Sequence, residues 1–387
     1  MKIIHTIFDY KQSVPKPLYS VYYDADSKNL KFYKLYMRGL GTKLKTVLDN
    51  LRQIARIIKS NPVFINDLTS HLRFIDIQPN QRLRLYEPFR QREIPHDSES
   101  QAQKELCKIV DGANYEPQKW MRTKAMAAVI YARMEKRGVR YGHKIVHPIY
   151  DMHTFSGRSR STGFNIQGTN ERDPVENLDT KRNYFIYFDW LAADIRMAGL
   201  LSGDEDINQS FESTDPYSML TEQLNDDAFE ITRDQCKLEL LSSLYALNID
   251  NPILNLFPRL RQWIVGHILD YKDNKPYHTI LGMPIPRNKI KTSFNAIIQG
   301  SIAEAMQWSL VQLGKLRPDL IVTEVHDSLI LASSHRDLKA TIEIGQAIMS
   351  DPFRSILDPS PRFPVHISIG KRWKRWKYLK TYRGSLG

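Results

Sequence analysis

The sequence predicts an α+β fold, on three observations. Short apolar runs of strand length mix in irregular order with longer stretches of helical spacing, unlike the steady alternation of a parallel α/β chain. Clusters of turn-forming residues separate them. Apolar residues make up 42% of the 387, which supports real cores and excludes a disordered chain.

The elements follow in order. Residues 19–39, YSVYYDADSKNLKFYKLYMRG, alternate about a turn-like DADSKN and predict a hairpin. LKTVLDNLRQIARIIKS has helical spacing, and NPVFINDL reads as a strand. The polar, proline-containing stretch 77–100 reads as a linker or surface arm. The expected organisation is an N-terminal module over 1–95, a helical segment over 96–150 and a larger unit over 151–387. Residues 101–137 are helical in pattern, with a break at Pro117. NYFIYFD is a buried strand running into WLAADIRMAGLLSG, a helix ended by Gly203. Residues 228–247 predict a helix, KPYHTILGMPIPRN a hairpin, and SFNAIIQGSIAEAMQWSLVQLGK a long helix. LIVTEVHDSLILAS is a strand pair turning near His326 and Asp327, DLKATIEIGQAIMSD a helix, and PVHISIG a last strand.

The net charge is +12 and the isoelectric point about 9.4, which points to a polyanionic partner, nucleic acid being the commonest. A membrane is the competing reading. Against it, no apolar run approaches the ~20 residues of a span, and no basic amphipathic helix sits beside a lipidation signal. The apolar stretch in MKIIHTIFDYK is too short for a signal peptide. Cys107 and Cys236 form neither a disulfide framework nor a metal knuckle. A cytoplasmic protein is expected, or one in a host's cytoplasm if a phage encodes it.

Asp327 interrupts an otherwise apolar strand pair, and Asp189 ends another buried strand. A buried carboxylate must be paired or hold a metal. Adjacent strands holding Mg²⁺ between the two would justify both and would suit two-metal phosphoryl transfer. The plainer alternative makes each a turn or cap residue. Arg233, Lys237, Leu241 and Tyr245 recur every four residues, one stripe of a helix. Cations at one end and an apolar and an aromatic residue at the other suit a nucleoside triphosphate. An ordinary amphipathic helix has the same spacing. HTFSGRSRSTGFNIQG, 153–168, is rich in donors and poor in core formers. It could face phosphates and minor-groove acceptors, or only water.

Together these stretches resemble family A DNA polymerases, the DNA polymerase I type. SGRSRSTGFNIQG is similar to the family's TGRxSSxxPNLQNIP, and FDWLAADIRMAGLLSGDED resembles motif A, DYSQIELRxLAHLSGDE. Arg233, Lys237, Leu241 and Tyr245 have the spacing of motif B, RxxxKxxxFxxxYG. FNAIIQGSIAEAM resembles NxxxQGxAAD, and VHDSLIL resembles motif C, VHDEL. The motifs fall in the family's order over residues 130–375. The resemblance implies a right-hand palm with an antiparallel sheet, helical fingers that are reduced, a small or missing thumb, and a short N-terminal module. It implies two Mg²⁺ ions on Asp189 and Asp327, with the Trp190 backbone carbonyl near one. Arg233 and Lys237 would bind the triphosphate, with Lys237 in a catalytic role. Leu241, Tyr245, Asp194 and Tyr217 would surround the incoming dNTP. Arg158, Asn165, Gln167, Asn295, Gln299 and His326 would touch primer–template DNA, and Arg196 would hold the fingers side.

The chain departs from that pattern in places that bear on chemistry. Asp194 stands where the family has the Glu that crowds a ribose 2′-hydroxyl, so sugar discrimination is open. Leu241 replaces the usual aromatic residue, Ser328 the usual Glu, and Tyr217 a His of a D-x-H segment. ARMEKRGVRY resembles the stretch before the thumb, yet HPIYDMHTFSGR follows almost at once. Low processivity, or a processivity or replisome partner, is the expectation. The first 95 residues are too short for a full proofreading domain. Asp24, Asp26, Asp67 and Asp76 could supply nuclease carboxylates, or the module could be a vestige. The tail KRWKRWKYLKTYRG, basic and aromatic without an acid, suits phosphate contact with base stacking, or is a solvated tail with Trp373 structural. Two other readings stand beside the polymerase: a priming or single-subunit RNA polymerase, and an inactive nucleic-acid-binding relic.

Overall fold

The computed structural model describes residues 118–382, except 153, 211–215, 226–229 and 359, and before them the backbone of five strands. Those strands are β1 Lys2–Asp9, β2 Lys16–Asp24, β3 Asn29–Lys34, β4 Val63–Ile65 and β5 Leu85–Tyr86. They form one mixed sheet in the order β3-β2-β1-β4-β5. The hairpin expected over 19–39 is β2 paired antiparallel with β3. One strand was not foreseen and another departs from expectation. The opening segment supplies the central strand, parallel to β4. The supposed linker over 77–100 contributes β5, because an apolar Leu-Tyr pair finds β4 as a parallel neighbour. Of the four nuclease candidates, Asp24 ends β2, opposite Lys2; Asp26, Asp67 and Asp76 lie outside the described residues.

The second large sheet is antiparallel throughout. Its strands are β11 Tyr184–Trp190, β14 Ile321–Val325, β15 Ser328–Ser333, β16 Val365–Arg372 and β17 Arg375–Tyr382, in the order β14-β15-β11-β16-β17. The alternation in YFIYFDW sorts β11 onto two faces. Ile186, Phe188 and Trp190 are buried on one face, and Phe185, Tyr187 and Asp189 share the other. The buried face lies against a helix over Leu338–Ser350, where Gly345 lets Phe188 in: a Cβ at 345 would sit 2.3 Å from its ring.

The helix Ile290–Leu316 is buried nearly all round, so it is central rather than amphipathic. The helix Lys119–Arg137 packs on it, with Ile130 pressed against Gly314. It begins just after Pro117, and Gly138 caps its far end at φ 68. Short strands follow at Val139–Tyr141, Lys144–Val146, Ile149–Asp151 and Arg160–Thr162.

Gly203, at φ 67, closes the helix Ala193–Ser202 as expected. The helix expected from 228 starts at Arg233 instead. A capping box fixes that start: Thr232 accepts from the Gln235 backbone while the Gln235 side chain accepts from the Thr232 N–H. PVHISIG is not the last strand. The chain turns at Lys374, φ 52, and returns as β17, so part of the basic tail is a sheet edge. Trp373 is buried, as expected of a structural residue.

Candidate active site

β14 and β15 are joined by the two-residue turn His326–Asp327, between paired Val325 and Ser328. His326 takes the left-handed conformation at φ 59, which makes the turn tight. Asp189, near the end of β11, is in register with Ser328, and the Trp190 N–H donates to the Asp327 carbonyl at 3.4 Å. The sheet therefore sets Asp189 and Asp327 side by side. Both are half-buried. Burial, then the Asp327 charge, pushes Asp189 up to about 7. Burial likewise raises Asp327, and Asp194 adds to it.

Four helices and a loop bring other groups to this pair. Lys237 lies close enough for its charge to draw the Asp189 carboxyl downward. On its helix, Cys236, Leu240 and Leu244 form the buried face. The neighbouring stripe runs from exposed Arg233 and Lys237 to half-buried Leu241 and Tyr245. Tyr217 is buried, its ring 5.7 Å from both the Arg233 guanidinium and the Lys237 ammonium, so it groups the cations by cation–π attraction. Asp194 forms an ion pair with Arg158 at 3.5 Å. The Tyr245 hydroxyl lies beside the Asp194 carboxylate and the Gln299 amide. Asn295 is one turn before Gln299 on the same helix face, and its Oδ1 is buried without a hydrogen-bond partner. Trp190 is buried, its indole N–H donating to the Met349 carbonyl at 2.7 Å. Arg196 is buried in the helix after Asp194.

Asn165 is used within its own loop, and Gln167 ties that loop to β14. Asn165 accepts from the Gly168 N–H at 3.1 Å and from the Ser161 hydroxyl at 2.8 Å. The Gln167 amide donates to Glu324 at 2.9 Å and accepts from the Ser161 N–H at 2.7 Å. Glu324 is the anchor that sequence reasoning missed. Fully buried in β14, it also accepts from Ser159, and burial raises its carboxyl to about 8. Tyr187 was missed too. Its hydroxyl donates to Asp189 Oδ1 at 3.3 Å, and its position two residues before Asp189 in a period-two strand was the available signal. His366, in register with Asp189 from the other side, left no local signal because it needs the β11–β16 pairing.

The donor set fits a hard divalent cation. Two adjacent, partly buried carboxylates raise each other's cost of ionisation, and a cation between them removes it. Among the described residues no cluster of three or more His, Cys, Asp or Glu could hold a metal. A pair of carboxylates is what Mg²⁺ takes when water and substrate phosphates complete its shell.

No protein-family model matches the chain, and no curated protein does. Among solved structures it superposes on the POL domain of Pol1 from M. smegmatis in complex with DNA primer-template and dNTP. The TM-score is 0.56 at 12% identity, over 97% of this chain and 96% of that one. The chain shares the overall fold of that domain. The match is one of architecture, a mixed arrangement of helices and sheets. No helix of the described residues is long and apolar enough to cross a membrane.

Proposed function

We propose that this chain is a template-directed DNA polymerase of the family A kind, extending a primer with dNTPs. The observation that carries the reading is the convergence of Asp189, Asp327 and Lys237 on one sheet end within a polymerase-domain fold. Asp189 and Asp327 would hold two Mg²⁺ ions, which would supply Lewis-acid activation of a primer 3′-hydroxyl and charge stabilisation for a leaving pyrophosphate. Arg233 and Lys237 bind the triphosphate oxygens. Leu241 and Tyr245 pack beside base and sugar. Arg158, Asn295 and Gln299 face the primer–template, Asn295 with an acceptor that awaits a donor. Asn165 and Gln167 hold the loop that presents Arg158, and His326 supports the primer terminus from the turn. The large antiparallel sheet is the palm, the helices over 216–272 are reduced fingers, and residues 96–150 stand in for a thumb. The module over 1–95 does not proofread.

One observation favours a second reading. Asp194 is one methylene shorter than the Glu of the resembled motif and pairs with Arg158 at 3.5 Å, so it would crowd a ribose 2′-hydroxyl less. A priming or RNA polymerase is the reading that relaxed crowding would suit. Primer extension on a defined template with Mg²⁺ tests both readings, with dNTPs and rNTPs in separate lanes and Asp327→Asn beside the wild type. Extension with dNTPs alone, lost in the variant, supports the DNA polymerase. Equal extension with rNTPs moves the assignment to the second reading. DNA binding without extension by any form leaves an inactive relic.

A further inference from the structure

Among the described strands β17 is the edge of the palm sheet, paired with β16. Its register carries the catalytic face outward. Asp189 is opposite His366, and His366 is opposite Thr381; Tyr187 is opposite Ser368, and Ser368 is opposite Tyr378. Paired residues share a face, so Tyr378 and Thr381 stand on the same face as Asp189, two strands away. Their hydroxyls lie 2.9 Å apart, which holds them together there.

The strand is firmly seated. The Trp376 ring stacks on Tyr187 at 5.7 Å and 12°. Trp373 meets Phe185 edge-on and donates its indole N–H to Thr169 Oγ1 at 3.0 Å. What projects from this footing is basic and aromatic. Lys371, Arg372, Arg375, Lys377 and Lys380 are exposed, Tyr378 is 64% exposed, and no acid interrupts 371–382. Lysines along a sheet edge oppose the addition of a protein strand. Lys377 and Lys380, opposite Ile369 and Ile367, flank the Tyr378 ring from the other face of the edge strand, so a chain running along the edge meets phosphate contacts on one side and a stacking ring on the other.

We propose that β17 is a binding site for single-stranded nucleic acid, Arg375, Lys377 and Lys380 taking backbone phosphates and the Tyr378 ring stacking on a base. The site rests on the polymerase reading, since Tyr378 stands on the catalytic face of that fold and the lysines flank the same edge strand from its other face. It gives the enzyme a grip on the unpaired part of its substrate.

The test is fluorescence anisotropy of the full chain on labelled oligothymidylate of about twenty nucleotides, blunt duplex and primer–template, across a salt series. The variants are the triple Arg375→Gln/Lys377→Gln/Lys380→Gln and the single Tyr378→Ala. The triple variant is expected to bind oligothymidylate about tenfold more weakly, with a salt slope lower by about 2, from ~0.7 per phosphate contact. Tyr378→Ala, at an exposed ring, is expected to lose about fivefold without losing slope. Blunt duplex binding changes less than about twofold in both. Near-UV circular dichroism reads the Trp373–Trp376 packing; if the triple variant disturbs it, Tyr378→Ala decides. Unchanged oligothymidylate binding in a folded variant overturns the proposal. So does an equal loss on duplex, or an edge that joins two protein chains while DNA binding stays whole. A wild type that extends primer and meets any of these outcomes overturns this proposal alone. A wild type that binds no nucleic acid overturns the polymerase reading with it.

Discussion

Tyr187 donates its hydroxyl to Asp189, so the aromatic residue two positions back along β11 holds the carboxylate that faces Asp327. This bond favours the ionised carboxylate, against the burial that opposes it. Tyr187→Phe is predicted to move Asp189 further up. The loss of activity is expected at two- to tenfold, matching about 0.5–1.5 kcal/mol for one hydrogen bond. It should be larger at pH 6.5 than at pH 8.5, where Asp189, normally titrating at about 7, is ionised in both forms. A pH–rate profile checks it; a loss uniform with pH would assign Tyr187 to packing only.

Metal binding has a sign of its own. With Asp189 titrating at about 7 in the free protein, Mg²⁺ must displace a proton below that pH. Apparent Mg²⁺ affinity is predicted to rise about tenfold per pH unit up to about 7, then level off. Calorimetric titration with Mg²⁺ in two buffers of different protonation enthalpy reads the proton release directly. Asp189→Asn should bind more weakly and without that pH dependence.

Glu304 gives a stability prediction away from the chemistry. It is fully buried, accepts from Thr279 at 2.6 Å and from the Leu281 N–H at 3.0 Å, and burial raises it to about 8. An unfolded glutamate titrates near 4.3. Between these values the unfolded chain has lost a proton that the folded chain keeps, so stability falls as pH rises. The decline is about 1.4 kcal/mol per pH unit for one such group, and Glu324 adds another of the same sign. Glu304→Gln reproduces the protonated form. It is predicted to remove the Glu304 share of the slope in denaturant titrations between pH 5 and pH 8, leaving the shares of Glu324 and of the raised Asp189 and Asp327.

Gly345→Ala tests the packing beneath the sheet. The added methyl would meet the Phe188 ring, itself one residue from Asp189. A loss of about 1–3 kcal/mol is expected, read from the denaturation midpoint. An unchanged midpoint would mean that the Leu338–Ser350 helix can shift freely on β11.

Much of this was legible in local sequence. YFIYFDW announced a buried strand by alternation, Gly203 stopped its helix, and the four-residue spacing from Arg233 to Tyr245 fixed one stripe. The motif residues Asp189, Asp194, Lys237, Arg158, Tyr245 and Gln299 do gather at one place. What escaped was set by pairing across long stretches of chain. Nothing near Glu324 says that Gln167 and Ser159 will bond to it, and nothing near His366 says that it will lie beside Asp189. The tail read as basic and aromatic, but its place at the edge depends on a turn at Lys374 that composition does not show. Gln167 marks the opposite limit: a donor-rich loop pointed outward to DNA, while its own amide is held inward by Glu324.

Under the proposed function, Asp189 and Asp327 act as one unit in nucleotidyl transfer. The most direct measurement is single-turnover incorporation of one dNTP into a labelled primer, by rapid quench, for Asp189→Asn, Asp327→Asn and the double variant. Each single variant is predicted to lose at least about 10³-fold in rate, and the double variant to lose little more, as residues of one catalytic unit do. A single variant that keeps more than about a tenth of the wild-type rate, or losses that multiply in the double variant, would contradict the account.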